Sequence, residues 1–497
     1  MRILIDTNII IGREDYKVID WQLTGFHRIA QEHHIKLLIH PESLRDIEKD
    51  KNIERKKIII SKLKVYPQLE KPQDYRFDAD YIQLFGETSR ENDEIDAQIL
   101  YALYKDAIDF FVTEDAKLIK RAARCGVKDR VFTIPEILNF LTREFETKEV
   151  SLPLEISNVP LHNLDITDEF FSELRKDYPE FDTWFQKIQR EGRSGFVYFH
   201  KNKIKALLIL KEENEGVNSQ PPLPPGRRLK ICTLKVLHRG YKIGEFFLKT
   251  AFQEAINKSI FEVYLTHFNE ENDFLVNLID DFGFIDVARY NNESLYLKKL
   301  IPPEKSAGLD DVLKNYYPSF YDHEEIGKYI VPIKPKFHSR LFPDADYNTQ
   351  GILFSMHSIN ITEGNTIRKA YICHSKIKKI NRYDLLFFYR SGDQKSITSF
   401  GIVENVYYDI DDPEQILKIV AKRTVYSLSE INLMTQNKKV LILIFRWYFH
   451  LNKPINLHNL MRHNILLAAP QSIMQINHED YLKLKDVGEL DERFIIN

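Results

Sequence analysis

The chain has 497 residues, which is too long for one hydrophobic core and predicts roughly three domains. Its composition, 43% hydrophobic and 29% charged, excludes a largely disordered chain. With a net charge of −3, the chain as a whole is not basic enough to predict nucleic-acid binding. Any such binding must come from local basic patches.

The remaining bulk features point to the cytoplasm. Cys125, Cys232 and Cys373 are far apart and show no metal-ligand spacing, as expected in a reduced compartment. The early carboxylate of Asp6 argues against a signal peptide. No apolar run approaches the ~20 residues of a spanning helix, so we expect a cytoplasmic protein with no membrane partner.

Residues 1–148 alternate short apolar runs with amphipathic helical patterns, for example at 94–105 and 116–125. This alternation predicts a first domain built on a parallel α/β sheet. Its predicted strands are 2–5, 35–40, 109–113 and 130–133.

Carboxylates follow these strands and helix starts, with no basic partner in the motifs. Because the carboxyl ends of parallel strands share one edge of a sheet, we expect the acids to meet there. Such a cluster suits Mg²⁺ or Mn²⁺ held against a phosphodiester. Aspartate is also favoured at helix starts for capping alone, which is the alternative interpretation. The candidate acids are Asp6, Asp46, Asp96 and Asp115.

The start at Asp6 and Asn8, the helix around Asp96 and the element from Thr113 to Asp115 resemble PIN-domain nucleases in order and spacing. The resemblance covers about residues 1–140. It implies metal-dependent cleavage of RNA, or less often DNA, by water that the metal activates. It also implies four metal ligands, with Thr113 and Asn8 orienting ligands or the attacking water. These ligands are Asp6, Asp96, Asp115 and Asp46. Asp46 takes the position usually held by glutamate, and Glu42 and Asp93 are alternatives to it.

Residues 150–300 form the second predicted domain. A strand at 229–236 leads through a loop into a helix from about 244, and another strand follows at 261–266. Gly240 and Gly244 let backbone amides approach a ligand, and the positive end of the helix suits a pyrophosphate. A tight turn at the helix start with no ligand is the alternative.

This region resembles GNAT acetyltransferases through the loop from Arg239 to Gly244, Asn272 and the segment 282–284, except that Lys242 replaces the first required glycine. The resemblance covers about 160–300. It implies an α+β domain that binds acetyl-CoA, with its pyrophosphate on the loop amides. The implied cofactor-binding residues are Leu234, Val236, Arg239, Gly240, Tyr241, Lys242, Ile243, Gly244 and Asn272.

One position departs from that family. Ile279 stands where a tyrosine often protonates the leaving thiolate. Either another group such as Tyr290 or Tyr296 serves, or the domain binds CoA without rapid turnover.

Residues 301–327 are predicted to be a linker, and 328–497 a third domain. Its short β-branched and aromatic strands predict a small barrel. Between Arg368 and Lys395, eight Lys or Arg residues stand against two acids. Basic side chains neutralise phosphates, and the interleaved tyrosines, Tyr371, Tyr383 and Tyr389, could stack on bases.

The segments 331–336, 382–389 and 401–404 resemble the ASCH and EVE branch of PUA-like barrels, over about 328–470. The resemblance implies a pocket for RNA or a modified nucleotide. A solvated basic face with structural aromatics is the alternative. The candidate RNA-binding residues are Lys334, Lys336, Arg340, Arg382, Tyr389, Arg390 and Ser391.

Together these patterns predict a multidomain α/β protein that combines three activities: an endoribonuclease, an acetyltransferase and an RNA reader. The expected partners are acetyl-CoA, RNA such as tRNA, and an antitoxin or regulatory protein of a toxin-like enzyme. Two alternatives stay open. One is an acetyltransferase on an inactive PIN scaffold, and the other is a non-catalytic sensor of RNA, nucleotide or acetyl-CoA.

Overall fold

The computed structural model describes most of the chain, in two compact units. Unit 1 contains Met1–Val150, Glu270–Asn277 and Asp411–Lys438, and unit 2 contains Ser151–Asn269, Leu278–Ile410 and Lys439–Asn497. The residues outside the description are 7, 10–20, 44–46, 48–55, 57–58, 61–62, 64–65, 87, 89–90, 146–155, 238–239, 241, 270–272, 304–306, 346–363, 365, 437 and 497.

Unit 1 is built on a four-stranded, fully parallel sheet in the order β2-β1-β3-β4. The strands are β1 (Arg2–Ile5), β2 (Lys36–Leu38), β3 (Phe110–Val112) and β4 (Val131–Phe132). The helices are α1 (Trp21–Glu32), α2 (Ala79–Phe85), α3 (Glu91–Tyr104), α4 (Ala116–Arg124), α5 (Ile134–Phe145), α12 (Pro413–Val420) and α13 (Leu428–Thr435).

The strands of unit 1 form because their side chains are apolar on both faces. All three residues of β3 are buried, as are the last three residues of β1. Continuous apolar runs are typical of parallel strands covered by helices. The carboxyl ends of β1 and β3 therefore lie at one edge of the sheet, immediately before Asp6 and Thr113.

Helices α12 and α13 belong to unit 1 although their segment lies within the predicted third domain. Ion pairs hold them to the rest of unit 1. Lys422 Nζ lies 2.7 Å from Glu136, and Lys418 Nζ lies 2.8 Å from Asp109. The chain thus leaves unit 2 after strand β16 and returns to it at β17.

The first sheet of unit 2 has seven strands in the order β10-β11-β9-β8-β7-β6-β5. Every neighbouring pair is antiparallel except β8 and β9, which are parallel. The strands are β5 (Ile156–Pro160), β6 (Ser194–His200), β7 (Lys203–Glu213), β8 (Arg228–Val236), β9 (Glu262–His267), β10 (Ile285–Tyr290) and β11 (Glu293–Lys299). The helices are α6 (Ser172–Asp177), α7 (Phe181–Arg190), α8 (Ile243–Asn257) and α9 (Phe274–Asp281). Residues 274–277 of α9 belong to unit 1, and residues 278–281 belong to unit 2.

The second sheet of unit 2 has six strands in the order β14-β17-β16-β15-β13-β18. The described pairs leave β14 and β18 at the two ends of that order, so they do not establish the predicted closed barrel. The strands are β13 (Lys328–Ile333), β14 (Arg368–Cys373), β15 (Leu385–Arg390), β16 (Ser396–Ile410), β17 (Val440–Asn456) and β18 (Met474–Ile476). The helices are α11 (Pro335–Leu341), α14 (Leu457–Arg462) and α15 (His478–Val487).

The segment predicted as a linker, 301–327, is packed rather than extended. It carries helix α10 (Leu309–Asn315) and strand β12 (Phe320–Tyr321), which pairs in parallel with β19 (Ile495–Ile496). Tyr317, Ser319 and Phe320 are buried. Within the described chain, no helix has the length and apolar character needed to cross a membrane.

Candidate functional site

Three predicted acids meet at the carboxyl edge of the unit 1 sheet. Asp6 follows β1, and Thr113 follows β3. The Thr113 hydroxyl donates to Asp6 at 2.5 Å, and the backbone N–H of Asp115 donates back to Thr113 Oγ1 at 3.0 Å. Thr113 therefore ties Asp6 to the start of helix α4.

Asp96, on helix α3, completes this group. Burial, followed by the negative charges of Asp6 and Asp115, raises its pKa to about 7. The parallel topology thus brings Asp6, Asp96 and Asp115 within electrostatic reach, as the strand ends predict. Asp46 lies outside the described residues.

The expectation that the acids have no basic partner is wrong. The Arg121 guanidinium lies 2.5 Å from Asp93 and 3.4 Å from Asp96. It also covers the Phe85 ring, with 4.7 Å from its central carbon to the ring centroid. No sequence motif indicates this contact, because Arg121 lies 25 residues from Asp96 on another helix.

Within the described part of the chain, these residues are not arranged to bind a metal ion. No group of three or more His, Cys, Asp or Glu side chains there is arranged to hold one. The Asp115 carboxylate caps α4, accepting the N–H groups of Lys117 and Leu118 at 2.7 and 3.1 Å. Capping, the alternative interpretation, therefore accounts for Asp115, and we derive no catalytic step through Mg²⁺ or Mn²⁺.

Asp96→Asn should change how stability depends on pH. The raised pKa means that the folded state holds a proton that the unfolded state releases, so stability falls as pH rises from about 4 to about 7. The variant should lack that loss, so its free energy of unfolding at pH 8 should exceed that of the wild type by about 1–2 kcal/mol. Partial exposure of the side chain keeps the difference this small. Urea unfolding at pH 5 and pH 8 measures it. Glu94→Gln, an exposed acid on α3, is the control; an equal pH response in both variants contradicts the account.

The second candidate site is a wedge in the first sheet of unit 2. Strands β8 and β9 pair only at Leu229 with Val263 and at Lys230 with Tyr264, near their amino ends. Beyond that point β8 still pairs with β7, and β9 with β11. The facing edges of β8 and β9 therefore separate and leave backbone N–H and C=O groups for another partner. Leu234 and Val236 lie on β8 past the separation and are half-buried.

Residues 237–242 connect the end of β8 to the start of helix α8. Gly240 has φ +91°, and Lys242 at the helix N-cap has φ +52°, a left-handed conformation that turns the chain into the helix. A Cβ on Gly244 would lie 2.8 Å from the Leu278 side chain, so this glycine allows α9 to pack closely. Ile243 is buried. Arg239, Tyr241 and Asn272 lie outside the described residues.

A buried chain of polar groups anchors helix α8 to the second sheet. Lys249 Nζ lies 2.6 Å from Asp344 Oδ2 and 4.0 Å from the centroid of the Trp447 ring. Asp344 Oδ1 lies 3.0 Å from His450 Nε2, and His450 Nδ1 lies 2.9 Å from Ser399 Oγ. Burial alone would raise the pKa of Asp344, but the charge of Lys249 and its contact with His450 hold that pKa well below its usual range.

Asp344→Ala should destabilise unit 2 strongly, because it leaves the buried ammonium of Lys249 without a counter-charge. The expected loss is about 3–5 kcal/mol, measured by urea unfolding. Asp310→Ala is the matched control, because Asp310 pairs with Arg382 at the surface and should cost at most about 1 kcal/mol. Equal losses in the two variants would show that Lys249 does not depend on Asp344.

The structure identifies hydroxyl groups near the carboxyl end of β9. Ile279 is fully buried. Of its predicted substitutes, Tyr296 donates to Asn269 Oδ1 at 2.7 Å, while the Tyr290 ring centroid lies 5.9 Å from Lys230 Nζ.

A further tyrosine was missed by sequence reasoning. Tyr178 donates to the buried carboxylate of Glu293 at 2.5 Å, and its ring lies 5.5 Å from that of Phe268, just after β9. Burial and Glu293 raise the pKa of Tyr178. The two partners are 115 residues apart, so no local motif could show the pair.

The predicted RNA-binding residues divide by exposure. Tyr389 is 0% exposed and cannot stack on a base as it stands, and Arg390 is 9% exposed. Arg390 binds Asp393 at 2.7 Å and Ser339 at 3.2 Å, and the Ser391 hydroxyl donates to the Ile333 carbonyl at 2.9 Å. These three residues therefore support the fold. The members that reach solvent are Lys334, Lys336 and Arg382, with Arg340 half-buried.

No protein-family model and no curated protein matches the chain. Solved structures of ASCH proteins and of GNAT acetyltransferases are among those similar to it. The ASCH protein from Zymomonas mobilis is 16% identical, covering 32% of this chain and 94% of its own, at TM-score 0.24.

Two acetyltransferases are also similar to the chain. The PaiA N-acetyltransferase from Thermoplasma acidophilum in complex with coenzyme A is 14% identical, covering 30% and 99%, at TM-score 0.23. A GNAT family acetyltransferase from Elizabethkingia anophelis with acetyl-CoA bound is 15% identical, covering 29% and 99%, at TM-score 0.22. These identities and TM-scores are too low to carry a functional assignment. The comparisons give no support to a PIN nuclease, a magnesium site or an antitoxin partner.

Proposed function

We propose that unit 2 carries an acyltransferase that uses acetyl-CoA and transfers its acetyl group to an amine. The observation that carries the proposal is the separation of the parallel strands β8 and β9, which helix α8 connects in the chain. Acetyl-CoA supplies an activated thioester and offers an amide-bearing arm ending in a pyrophosphate. The separated strand edges suit the amides of such an arm, and a helix start suits the anion.

The residues of the chain have distinct roles in this proposal. Backbone groups of β8 near Leu234 and Val236 bind and orient the arm, which lowers the entropic cost of reaction. The N–H groups of the first turn of α8, entered through Gly240 and Lys242, bind phosphate oxygens. Tyr296 holds a proton on its hydroxyl at the carboxyl end of β9, where a leaving thiolate could take it.

Gly240→Ala should weaken acetyl-CoA binding about tenfold, because a side chain at φ +91° strains the turn that presents the α8 amides. Calorimetry on the full chain measures the Kd. Gly192→Ala is the control, since Gly192 has φ +71° with open surroundings and lies outside the wedge. A similar change in Kd for both variants, or for neither, would contradict the role of this turn.

A second candidate function is RNA cleavage at the carboxylates of unit 1. One observation favours it: Asp6, Asp96 and Asp115 converge at a single sheet edge, with Thr113 bridging two of them. The exposed Lys334, Lys336 and Arg382 are the proposed contacts to the RNA backbone. No role is assigned to a metal ion in this candidate.

Incubation of labelled single-stranded RNA with the full chain tests this candidate. The expected result is cleavage by the wild type that falls to background in Asp6→Asn/Asp115→Asn, because the paired acids are removed from the sheet edge. Asp80→Asn, an exposed acid on α2, should cleave like the wild type. Equal degradation by all three proteins would exclude these carboxylates as the source of cleavage.

A further inference from the structure

The first turn of helix α8 is held by the second sheet of unit 2. Glu245, in that turn, is 7% exposed. Its Oε1 accepts the backbone N–H of Ile367 at 3.0 Å and that of Arg368, the first residue of β14, at 3.4 Å. A buried carboxylate with two backbone donors fixes the position of the turn that carries it, because displacing it would break both hydrogen bonds where water does not readily replace them.

Further charged contacts reinforce this position one turn later. Lys249 binds Asp344 at 2.6 Å, and Lys369, the second residue of β14, donates to the Gly364 carbonyl at 2.5 Å. Glu245, Lys249, Asp344 and Lys242 all act electrostatically on Lys369. The amino end of α8 and the start of β14 therefore form one charged, buried assembly.

A negative side chain in the first turn of a helix is favoured by the helix dipole but opposes an anion bound at the same end. Glu245 avoids that conflict only while its carboxylate is turned to the Ile367 and Arg368 amides. The same two hydrogen bonds thus fix the position of the amino end of the helix and turn its negative side chain towards the start of β14.

We infer that Glu245 is a positioning residue for acetyl-CoA and that the start of β14 is a structural part of the binding site. The inference rests on the proposed function of unit 2. Bound acetyl-CoA orders the first turn of α8, and this ordering strengthens the Glu245 hydrogen bonds. Because coupling between sites is reciprocal, the Glu245 hydrogen bonds in turn strengthen acetyl-CoA binding.

Hydrogen exchange on the unmodified full chain tests the coupling directly. Addition of acetyl-CoA should slow exchange in peptides that contain Ile367 and Arg368, although these amides do not bind the ligand. A peptide covering 478–487 in helix α15 is the internal control and should not change. Protection of α8 peptides without any change at Ile367 and Arg368 would overturn the inference.

Variants of Glu245 give the second measurement. Glu245→Ala should raise the Kd for acetyl-CoA about tenfold, while Glu245→Gln, which keeps Oε1 as an acceptor, should stay within about threefold of wild type. Glu254→Ala is the matched control, because Glu254 lies on the same helix and pairs with Lys258 at 3.7 Å. Melting curves show whether each variant is folded.

The outcomes separate the two proposals. If the wild type does not bind acetyl-CoA, the proposed function fails and the positioning role with it. If the wild type binds and Glu245→Ala binds equally well with a lowered melting temperature, only the positioning role fails. If Glu245→Ala does not fold, Glu245→Gln and the exchange measurement on the wild type decide: a Kd within threefold with slowed exchange supports the inference, and unchanged exchange overturns it.

Discussion

The arrangement of unit 2 depends on helix α8, which is buried along most of its length. Ten of its fifteen residues are buried, including the charged Glu245 and Lys249. Charged side chains are buried only with partners. The partners of Glu245 are the backbone amides of Ile367 and Arg368, at the start of β14, and the partner of Lys249 is the carboxylate of Asp344, which follows α11. The helix that follows the β8–β9 wedge therefore cannot be placed by the first sheet alone.

This constraint changes how the predicted second and third domains are understood. The segment between them, with Tyr317, Ser319 and Phe320 buried, is part of the packing rather than a flexible tether. Both sheets fall in one compact unit, whereas helices α12 and α13, which lie inside the predicted third domain, fall in the other. A functional account of the wedge must therefore include residues about 120 positions away in the sequence, such as Ile367 relative to Glu245.

The sequence was informative where structure is local. The strands of unit 1, the β8-to-α8 connection and the acids at strand ends follow from apolar periodicity and from the shared edge of parallel strands. Contacts between distant segments left no signal. Arg121 beside Asp96, Tyr178 beside Glu293 and Glu245 beside Ile367 each join separate elements. The burial of Tyr389 and Arg390 was not visible either, since a local basic and aromatic pattern does not show that all six residues of β15 are buried.

The central claim is that the wedge between β8 and β9, with the start of α8, binds acetyl-CoA. Calorimetric titration of the full chain with acetyl-CoA tests it most directly. The account predicts a saturable heat that corresponds to one ligand per chain. The absence of binding at millimolar acetyl-CoA, with the protein folded by its melting curve, would contradict it.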